Sequence, residues 1–338
     1  MKTILRGTML VVVVSAALAF AGTAFATQTL AVSQTPASLT VKLSQTPTDP
    51  QPSKITVYVP STYQVNTAQS VGSKVGTTSG QIYASDVSLM VQFLGQVLVA
   101  NPAEHTKDLC SPGPHLAVWD LKFTVAGTAT DIFVYITATT ADEAALGAVK
   151  LEVCLPPTDV PPATPGRSPS GAQLLETSIT VSGVFTAPAG ATRWVSLWTP
   201  YAPGTGLPNT AGMVEARSLV APGTVTLRSS VLNRKKKLVR LSGLATQSGA
   251  KVPGASVSLL INSRVRFKQT TNGGGAYAYK LRNVLHRVTT TFFQVRVVAG
   301  VRDATATECA SPTLPGVRCV SATRGPFTAL SRKIKLRL

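Results

Sequence analysis

The chain has 338 residues and carries 32 Lys and Arg against 14 Asp and Glu, for a formal net charge of +18. This length exceeds what one hydrophobic core usually serves, so two domains of about 100–200 residues are expected. Only three His are present, which leaves few side chains that titrate near neutral pH for acid–base catalysis.

The start of the chain has the composition of a secretory signal peptide. Lys2 and Arg6 form a positive region, residues 9–21 are apolar, and residues 24–26 (Ala-Phe-Ala) form a small-x-small cleavage site. An uncleaved membrane anchor is the alternative, but the apolar stretch is shorter than the roughly 20 residues that a spanning helix needs. No later stretch is long and apolar enough to cross a bilayer. We therefore expect residues 1–26 to be removed, and the protein to be secreted or held at the cell envelope by noncovalent contacts.

After this leader, short runs of β-branched and aromatic residues alternate with Gly, Pro, Asn and Ser, and helical periodicity is nearly absent. This pattern is typical of β-sandwiches. One helical turn is predicted, at 140–146. Nine strands are predicted ahead of residue 219, at 38–43, 54–59, 88–93, 117–125, 130–137, 149–155, 174–185, 194–198 and 212–218.

The four cysteines allow three pairings, and pairing within a domain favours Cys110 with Cys154 and Cys309 with Cys319. In an oxidising compartment each disulfide is expected to add roughly 3–4 kcal/mol of stability. Zinc ligation is the alternative, but the spacings are not CxxC and no His lies within a ligand-like step of the last two cysteines.

Charge divides the chain near residue 219. Residues 27–216 contain 8 Lys and Arg against 12 Asp and Glu, whereas residues 217–338 contain 22 against 2. We therefore predict a domain at 27–218 and a strongly basic domain at 219–338. The Pro-rich stretch 156–169 cannot join a central strand, because proline lacks the amide donor. It is interpreted as a long connection within the first domain, with an interdomain linker as the alternative.

The basic domain contains three characteristic segments: Val-Arg-Leu-Ser-Gly-Leu-Ala at 239–245, Ser-Gly-Ala-Lys-Val-Pro-Gly-Ala-Ser-Val-Ser-Leu at 248–259, and Thr-Thr-Asn-Gly-Gly-Gly-Ala-Tyr-Ala-Tyr at 270–279. Together they resemble the carboxypeptidase-regulatory-like family of transthyretin-type, Ig-like modules. The resemblance covers about 45 residues. The whole chain is also similar to uncharacterised exported bacterial proteins that place another domain ahead of such a module, a likeness that names no activity.

The resemblance implies a β-sandwich in which one strand follows a Pro-Gly-Ala step and another follows a Gly turn. Gly254 and Ala255 fill the step, Gly275 the turn, and Tyr277 and Tyr279 the alternating aromatic positions. The family usually has Asp shortly before that turn, where this chain has Asn-Gly-Gly. Such modules are usually spacers or binding elements rather than catalysts.

The residues themselves favour the same all-β fold of two sandwiches. Asn272 and Gly273 separate two alternating runs, which predicts a type I′ hairpin. Cations alternate with apolar residues in 264–268 and in 333–338, which predicts strands with apolar side chains toward the core and cations toward water. Residues 234–237 are predicted to form a hairpin loop.

These cations are candidate contacts for a polyanion, although exposed strand positions must be polar in any case and Lys on edge strands prevents aggregation. An exported protein meets cell-wall phosphate polymers, anionic lipid headgroups, acidic polysaccharides and extracellular nucleic acid. No nucleic-acid motif is present, and aromatic residues are sparse among the cations. The candidate residues are Arg234, Lys235, Lys236, Lys237, Arg264, Arg266, Lys268, Lys333, Lys335 and Arg337.

Two further groups of residues have a functional and a structural interpretation. Trp194, Ser196 and Trp198 share one strand face with Tyr201 just beyond, which is either a sugar-stacking surface or core packing; core packing is favoured. Trp119 and Tyr135 receive the same interpretation. His105, Cys110 and His115 lie close in sequence but are favoured as ordinary loop residues, and so is His286.

No catalytic, cofactor or metal site is predicted, because no nucleophile elbow, metalloprotease helix, phosphate loop or calcium loop is present. We expect an exported, non-enzymatic protein that binds or spaces at the cell envelope, with an anionic polymer as its partner. The alternatives are a purely structural surface protein, and a hydrolase or carbohydrate-binding domain in the first half. A pocket lined by Asp120, Asp131 or His115 would favour the last.

Overall fold

The computed structural model describes residues 27–108, 110–125, 127–282, 291–304, 306–310 and 313–335. The predicted signal peptide, His286 and Arg337 lie outside these ranges. Within them the chain is all β, and its helices are single 3-10 turns. These turns are Ser85–Val87, Pro102–His105, Ala141–Glu143, Pro169–Gly171, Thr210–Gly212 and Ala306–Cys309. The third lies in the helical turn predicted at 140–146.

Thirteen strands precede residue 222, and each of the nine predicted strands overlaps one of them. They are β1 (Thr29–Gln34), β2 (Ser38–Ser44), β3 (Pro52–Val59), β4 (Gln64–Val65), β5 (Lys74–Ala84), β6 (Leu89–Ala100), β7 (Ala117–Val125), β8 (Thr128–Ala138), β9 (Val149–Cys154), β10 (Ala172–Ser182), β11 (Phe185–Thr186), β12 (Thr192–Pro200) and β13 (Val214–Val220). The strands β1, β4 and β5 are not among the predicted ones.

The described residues after 222 contain twelve more strands. They are β14 (Gly223–Val225), β15 (Arg228–Asn233), β16 (Leu238–Gln247), β17 (Ala250–Lys251), β18 (Ser256–Ile261), β19 (Arg264–Thr270), β20 (Ala276–Arg282), β21 (Phe292–Ala299), β22 (Arg302–Asp303), β23 (Arg318–Arg324), β24 (Phe327–Leu330) and β25 (Ile334–Lys335).

The first body is one long sheet that curls around a single core. Its strand order is β1-β2-β10-β5-β6-β7-β8-β9-β3-β12-β13-β23-β22, and β4 pairs with β11 beside it. The curl brings the first strand back to the end of the sheet, where the Val32 amide donates to Ser218 Oγ at 2.9 Å and Thr323 Oγ1 donates to the Leu30 carbonyl at 2.6 Å. The enclosed side chains form one hydrophobic core. The removal of these apolar side chains from water stabilises the first body.

The second body is a sandwich of two five-stranded sheets. One sheet contains β14, β15, β16, β17 and β20, and the other contains β18, β19, β21, β24 and β25. Alternate residues of β16, β18 and β21 point inward, because side chains of a strand alternate between its two faces. Val239, Leu241, Val257, Phe293 and Val295 are accordingly buried in its core.

The hairpin predicted at Asn272 and Gly273 is wrong. The strands on either side, β19 and β20, belong to different sheets, so this loop crosses the sandwich, and the residue with positive φ is Gly275 (+71°). The hairpin with two left-handed residues occurs instead between β18 and β19, at Asn262 and Ser263, whose φ angles are +49° and +67°. Asparagine tolerates this conformation better than most residues.

The chain returns to the first body after residue 300. The strand β23 lies parallel to β13 and pairs Val214 with Arg318 through Leu219 with Arg324. Residues 318–324 therefore lie in the first sheet, although they belong to the predicted unit 219–338. At the junction the buried Gln247 side chain donates to the carbonyls of Ala221 and Gly325 at 2.8 and 3.1 Å.

The predicted disulfide pairing is confirmed: Cys110 bonds Cys154, and Cys309 bonds Cys319. The first bridge spans 44 residues and fastens the loop after β6 to the end of β9. The second spans 10 residues and closes the segment before β23. Both disulfides are compatible with an extracellular protein.

The Pro-rich stretch 156–169 runs from β9 to the 3-10 turn before β10, and both strands are in the first sheet. Arg167 holds it against the body by donating to the Val160 carbonyl at 2.7 Å and to both carboxylate oxygens of Asp86 at 2.9 and 2.7 Å. The stretch is therefore a connection within one body.

Candidate functional site

Sheet pairing defines two ends of the second sandwich. The end next to the first body, the near end, contains Gly223, Ser256 and Phe327; it adjoins β13, whose Leu219 carbonyl accepts a hydrogen bond from the Gly325 amide at 2.8 Å. At the opposite end, the far end, Leu238 pairs with Asn233 and Arg282 in one sheet. In the other sheet, Ile261 pairs with Arg264 and Phe293, and Phe293 pairs with Ile334.

Most of the predicted polyanion contacts lie at this far end. Residues 234–237 form the turn between β15 and β16, as predicted. Arg264 is the first residue of β19, Lys335 lies in β25, and Lys333 directly precedes β25. Arg266 and Lys268 are exposed further along β19 toward the near end.

Further exposed cations stand singly between buried residues of separate strands, so no local cluster in the sequence marks them. Arg240 of β16 lies opposite Lys280 of β20 on the outer face of one sheet, and Arg282 is the last residue of β20, at the far end. On the other sheet, Ser258 lies between Lys268 and Arg296. Like charges directly opposite each other in a sheet are destabilising, so Arg240 and Lys280 are held together at a cost to the fold.

No Asp or Glu side chain of this sandwich offsets the charge. Residues 223–299 and 325–338 contain 14 and 4 Lys and Arg and no Asp or Glu. The two acidic residues after position 217 are Asp303 and Glu308, and Glu308 pairs with Arg324 at the edge of the first sheet. Among the described residues of the second sandwich, no Lys or Arg forms a salt bridge.

The predicted alternation of β19 is only partly observed. Arg264, Arg266 and Lys268 are exposed, but Val265 and Phe267 are exposed as well. The reason is that β19 is an edge strand, paired with β18 alone and bulged opposite Leu259 and Leu260. A strand with a neighbour on one side buries less of each face.

The structure does not provide a sugar-stacking surface at Trp194 and Trp198. These side chains are 0% and 2% exposed and belong to the core of the first body. Trp198 Nε1 donates to Ser196 Oγ at 2.9 Å, and Tyr201 uses its hydroxyl to donate to the Leu155 carbonyl at 2.6 Å. The aromatic residues of this strand therefore pack the core, and so does Trp119.

The two described histidines form a small polar cluster. His105 Nδ1 lies 2.9 Å from Asp108 Oδ2, and the Tyr135 hydroxyl donates to the same oxygen at 2.6 Å. The hydrogen bond from Tyr135 lowers the pKa of Asp108, and the contact with His105 lowers it further. Burial acts in the opposite direction but is outweighed. His115 Nε2 donates to the His105 carbonyl at 3.2 Å. These contacts join the loop 105–115 to Tyr135 of β8. In the described part of the chain, no Ser, Thr or Cys side chain is hydrogen-bonded to either imidazole.

A groove of about 790 Å³ crosses the outer face of β3, β9 and β12. Asp120, Asp131 and His115 are not in its lining. Its wall carries a chain of ion pairs in which Lys54 and Lys150 contact Glu152 at 3.2 and 3.6 Å, and Lys150 contacts Glu143 at 3.0 Å. Ser111 donates to the second oxygen of Glu152 at 2.7 Å. The cavities inside the first core measure about 10 and 20 Å³, room for a single water each.

The Glu143 carboxylate in this groove is held ionised. Burial alone would raise its pKa, but hydrogen bonds from the Thr140 amide (3.0 Å), the Tyr58 hydroxyl (2.8 Å) and the Lys150 ammonium (3.0 Å) outweigh burial and lower the pKa to about 2. A general acid needs a raised pKa. The hydrogen bonds of Glu143 therefore suit a structural ion-pair network.

Replacing Glu143 by Gln is expected to lower the free energy of unfolding by about 1–2 kcal/mol at pH 7. The folded-state pKa is below the ordinary value of 4.5, so the stabilisation is complete above about pH 5 and is lost as the pH falls toward about 2. Urea unfolding of both proteins between pH 7 and pH 3 measures the difference. Asp142 is exposed and has no hydrogen-bond partner among the described residues, so Asp142→Asn is the control. An effect of Glu143→Gln that does not depend on pH would contradict the assignment.

Comparisons with known proteins do not assign a family or a function to the chain. No protein-family model matches the chain, and no curated protein matches it. Among the described residues, no helix is long and apolar enough to span a membrane, and no group of three or more His, Cys, Asp or Glu side chains is arranged to hold a metal ion.

Proposed function

We propose that the protein is exported and docks, as a non-enzymatic binding module, onto an anionic component of the cell envelope through the basic second sandwich. One observation carries the proposal: 18 Lys and Arg stand in residues 223–299 and 325–338 without one Asp or Glu. Solubility alone is served by mixed charges of both signs. A surface of one sign attracts and retains polyanions.

The arrangement of the charge supports the same proposal. Arg240 and Lys280 lie side by side across a sheet, where an acidic residue at either position would stabilise the pair. The far end adds the turn at 234–237, Arg264 and Lys335. A bound polyanion would supply the missing negative charge to all of these residues at once.

The test is retention of the full-length protein on dextran sulfate beads across a salt series, with uncharged dextran beads as the reference. The variant Lys235→Gln/Lys236→Gln/Lys237→Gln is expected to bind dextran sulfate at least tenfold more weakly at about 0.1 M salt. At this salt concentration an exposed charge still attracts an anion within about 10 Å, so the variant loses three attractive contacts with a polymer bound at the turn. Its salt dependence is expected to be shallower, since fewer counterions are released.

A matched control separates position from net charge. Lys74, Lys107 and Arg193 are exposed cations of the first body, and changing them to Gln lowers the net charge by the same three units. The proposal requires this control to elute near the wild type. Equal weakening of both variants would reduce the effect to overall charge, and no retention of the wild type at low salt would overturn the docking function.

A further inference from the structure

We propose that the anionic partner is a lipid bilayer, and that the far end of the second sandwich inserts exposed apolar side chains between anionic headgroups. The inference rests on the proposed docking function and names its partner. A hydrated polymer offers charge alone, whereas a bilayer interface offers charge and an apolar layer beneath it.

Large apolar side chains stand exposed among the cations at the far end. Leu232 is 47% exposed and Val231 44% exposed, immediately before the basic turn 234–237. Phe292, where β21 begins, is 45% exposed. Val265, beside Arg264, is 39% exposed. Both sheets therefore bring apolar residues and cations to the same end.

These side chains are not needed by the core. Leu232 lies at the irregularity where the β15–β16 register shifts between Val231 and Asn233, so it is displaced from the ladder. Phe292 precedes Phe293, which is fully buried. The Phe292 ring instead lies under Lys335, whose Nζ is 5.9 Å from the ring centroid. A cation over an exposed aromatic ring is an arrangement suited to the headgroup level, where amphipathic rings and basic residues gather.

The electrostatics of the whole molecule favour this orientation. The near end of the sandwich joins the first body, where residues 27–222 and 301–324 carry 14 Asp and Glu against 12 Lys and Arg. An anionic surface attracts the strongly basic far end, and it does not attract the slightly acidic body behind it. The far end is thus the part of the sandwich that meets the surface first.

The inference predicts binding that depends on both charge and apolar contact. Full-length protein is mixed with sedimenting vesicles of phosphatidylcholine alone or with about one-third phosphatidylglycerol. We expect binding to the anionic vesicles, and the variant Leu232→Ser/Phe292→Ser to bind them about tenfold or more weakly, because interfacial affinity grows with buried apolar area. The same variant is expected to bind dextran sulfate like the wild type.

The control removes two apolar side chains of the first body that are more exposed than Leu232 and Phe292. Leu94 and Leu207 are 81% and 66% exposed, and Leu94→Ser/Leu207→Ser is expected to bind vesicles like the wild type. Circular dichroism of each variant checks that the fold is kept; if Leu232→Ser/Phe292→Ser unfolds, quenching of a fluorophore on Leu232→Cys by lipid-borne nitroxide replaces it as the readout.

Each outcome separates the two proposals. Vesicle binding that the apolar substitutions leave unchanged, or no quenching at position 232, overturns insertion and leaves polyanion docking in place. Retention on dextran sulfate without binding to anionic vesicles does the same and points to a hydrated polymer. No binding to either probe overturns both proposals.

Discussion

Replacing Arg217 by methionine is expected to lower the free energy of unfolding by about 3–5 kcal/mol, because it leaves a buried carboxylate without its counter-charge. Glu215 is 0% exposed and Arg217 5% exposed on neighbouring outward positions of β13. Glu215 accepts hydrogen bonds from Arg217 Nε and from the amide and hydroxyl of Thr313, both at 2.9 Å. Arg217 also donates to the Glu308 carbonyl at 2.7 Å and to Thr313 Oγ1 at 3.1 Å.

A double-mutant cycle tests whether the loss comes from the broken pair. Glu215→Leu/Arg217→Met removes both charges, so its cost is expected to be well below the sum of the two single substitutions, since well-packed apolar residues often replace a buried ion pair without loss. Guanidinium unfolding followed by tryptophan fluorescence measures it. All three tryptophans lie in the first body, so the signal reports on the body that holds the pair. Additive costs, or a loss below about 1 kcal/mol for Arg217→Met, would contradict the assignment.

The local sequence does not reveal that this pair is buried. In 212–218 the polar residues alternate with apolar ones, which predicts a strand with an outer face in water. The strand is there, but the outer face is covered by the segment before β23, which carries Thr313 and the disulfide of Cys309 and Cys319. That cover lies about a hundred residues further along the chain, and no local pattern specifies it.

The same limit explains which strands were predicted. A run rich in β-branched and aromatic residues, such as 117–125, predicts a strand with the observed bounds. The strands β5 and β23 were missed because Gly, Ser, Thr and Lys or Arg dominate them. The contribution of β23 is polar: Thr323 and Ser321 donate to the carbonyls of Leu30 and Gln28, each at 2.6 Å. Hydrogen bonds between distant strands leave no periodic signal.

The electrostatic character of the second sandwich was predictable, but its geometry was not. The count of cations after residue 217 follows from the sequence alone. That Arg264, Lys335 and the turn at 234–237 share one end follows from the crossings of the chain between the two sheets. The exposure of Phe292 depends on where β21 begins, because Phe293 takes the core position. The net charge can be predicted from composition. The grouping of cations and exposed apolar side chains at one end of the sandwich can be seen only in the folded structure.

Replacing Trp194 by alanine is expected to lower the free energy of unfolding by about 3–5 kcal/mol, the range for large aromatic side chains in a core. The Trp194 ring packs edge-on against Tyr63, with centroids 5.0 Å apart, and against Phe185 at 6.1 Å. Its indole nitrogen is buried and has no hydrogen-bond partner among the described residues. Trp194→Phe therefore loses volume but no hydrogen bond, and about 1–2 kcal/mol is expected.

Trp198 gives the matched comparison, because its indole donates to Ser196. Trp198→Phe removes that bond as well as volume, so it is expected to cost about 1 kcal/mol more than Trp194→Phe. Guanidinium unfolding followed by the two remaining tryptophans measures both. A stacking role at the surface predicts the opposite: Trp194→Ala would keep the wild-type midpoint and lose a carbohydrate ligand. An unchanged midpoint would therefore contradict core packing of Trp194 and favour a surface role. A large loss of stability would mean that this strand serves the core.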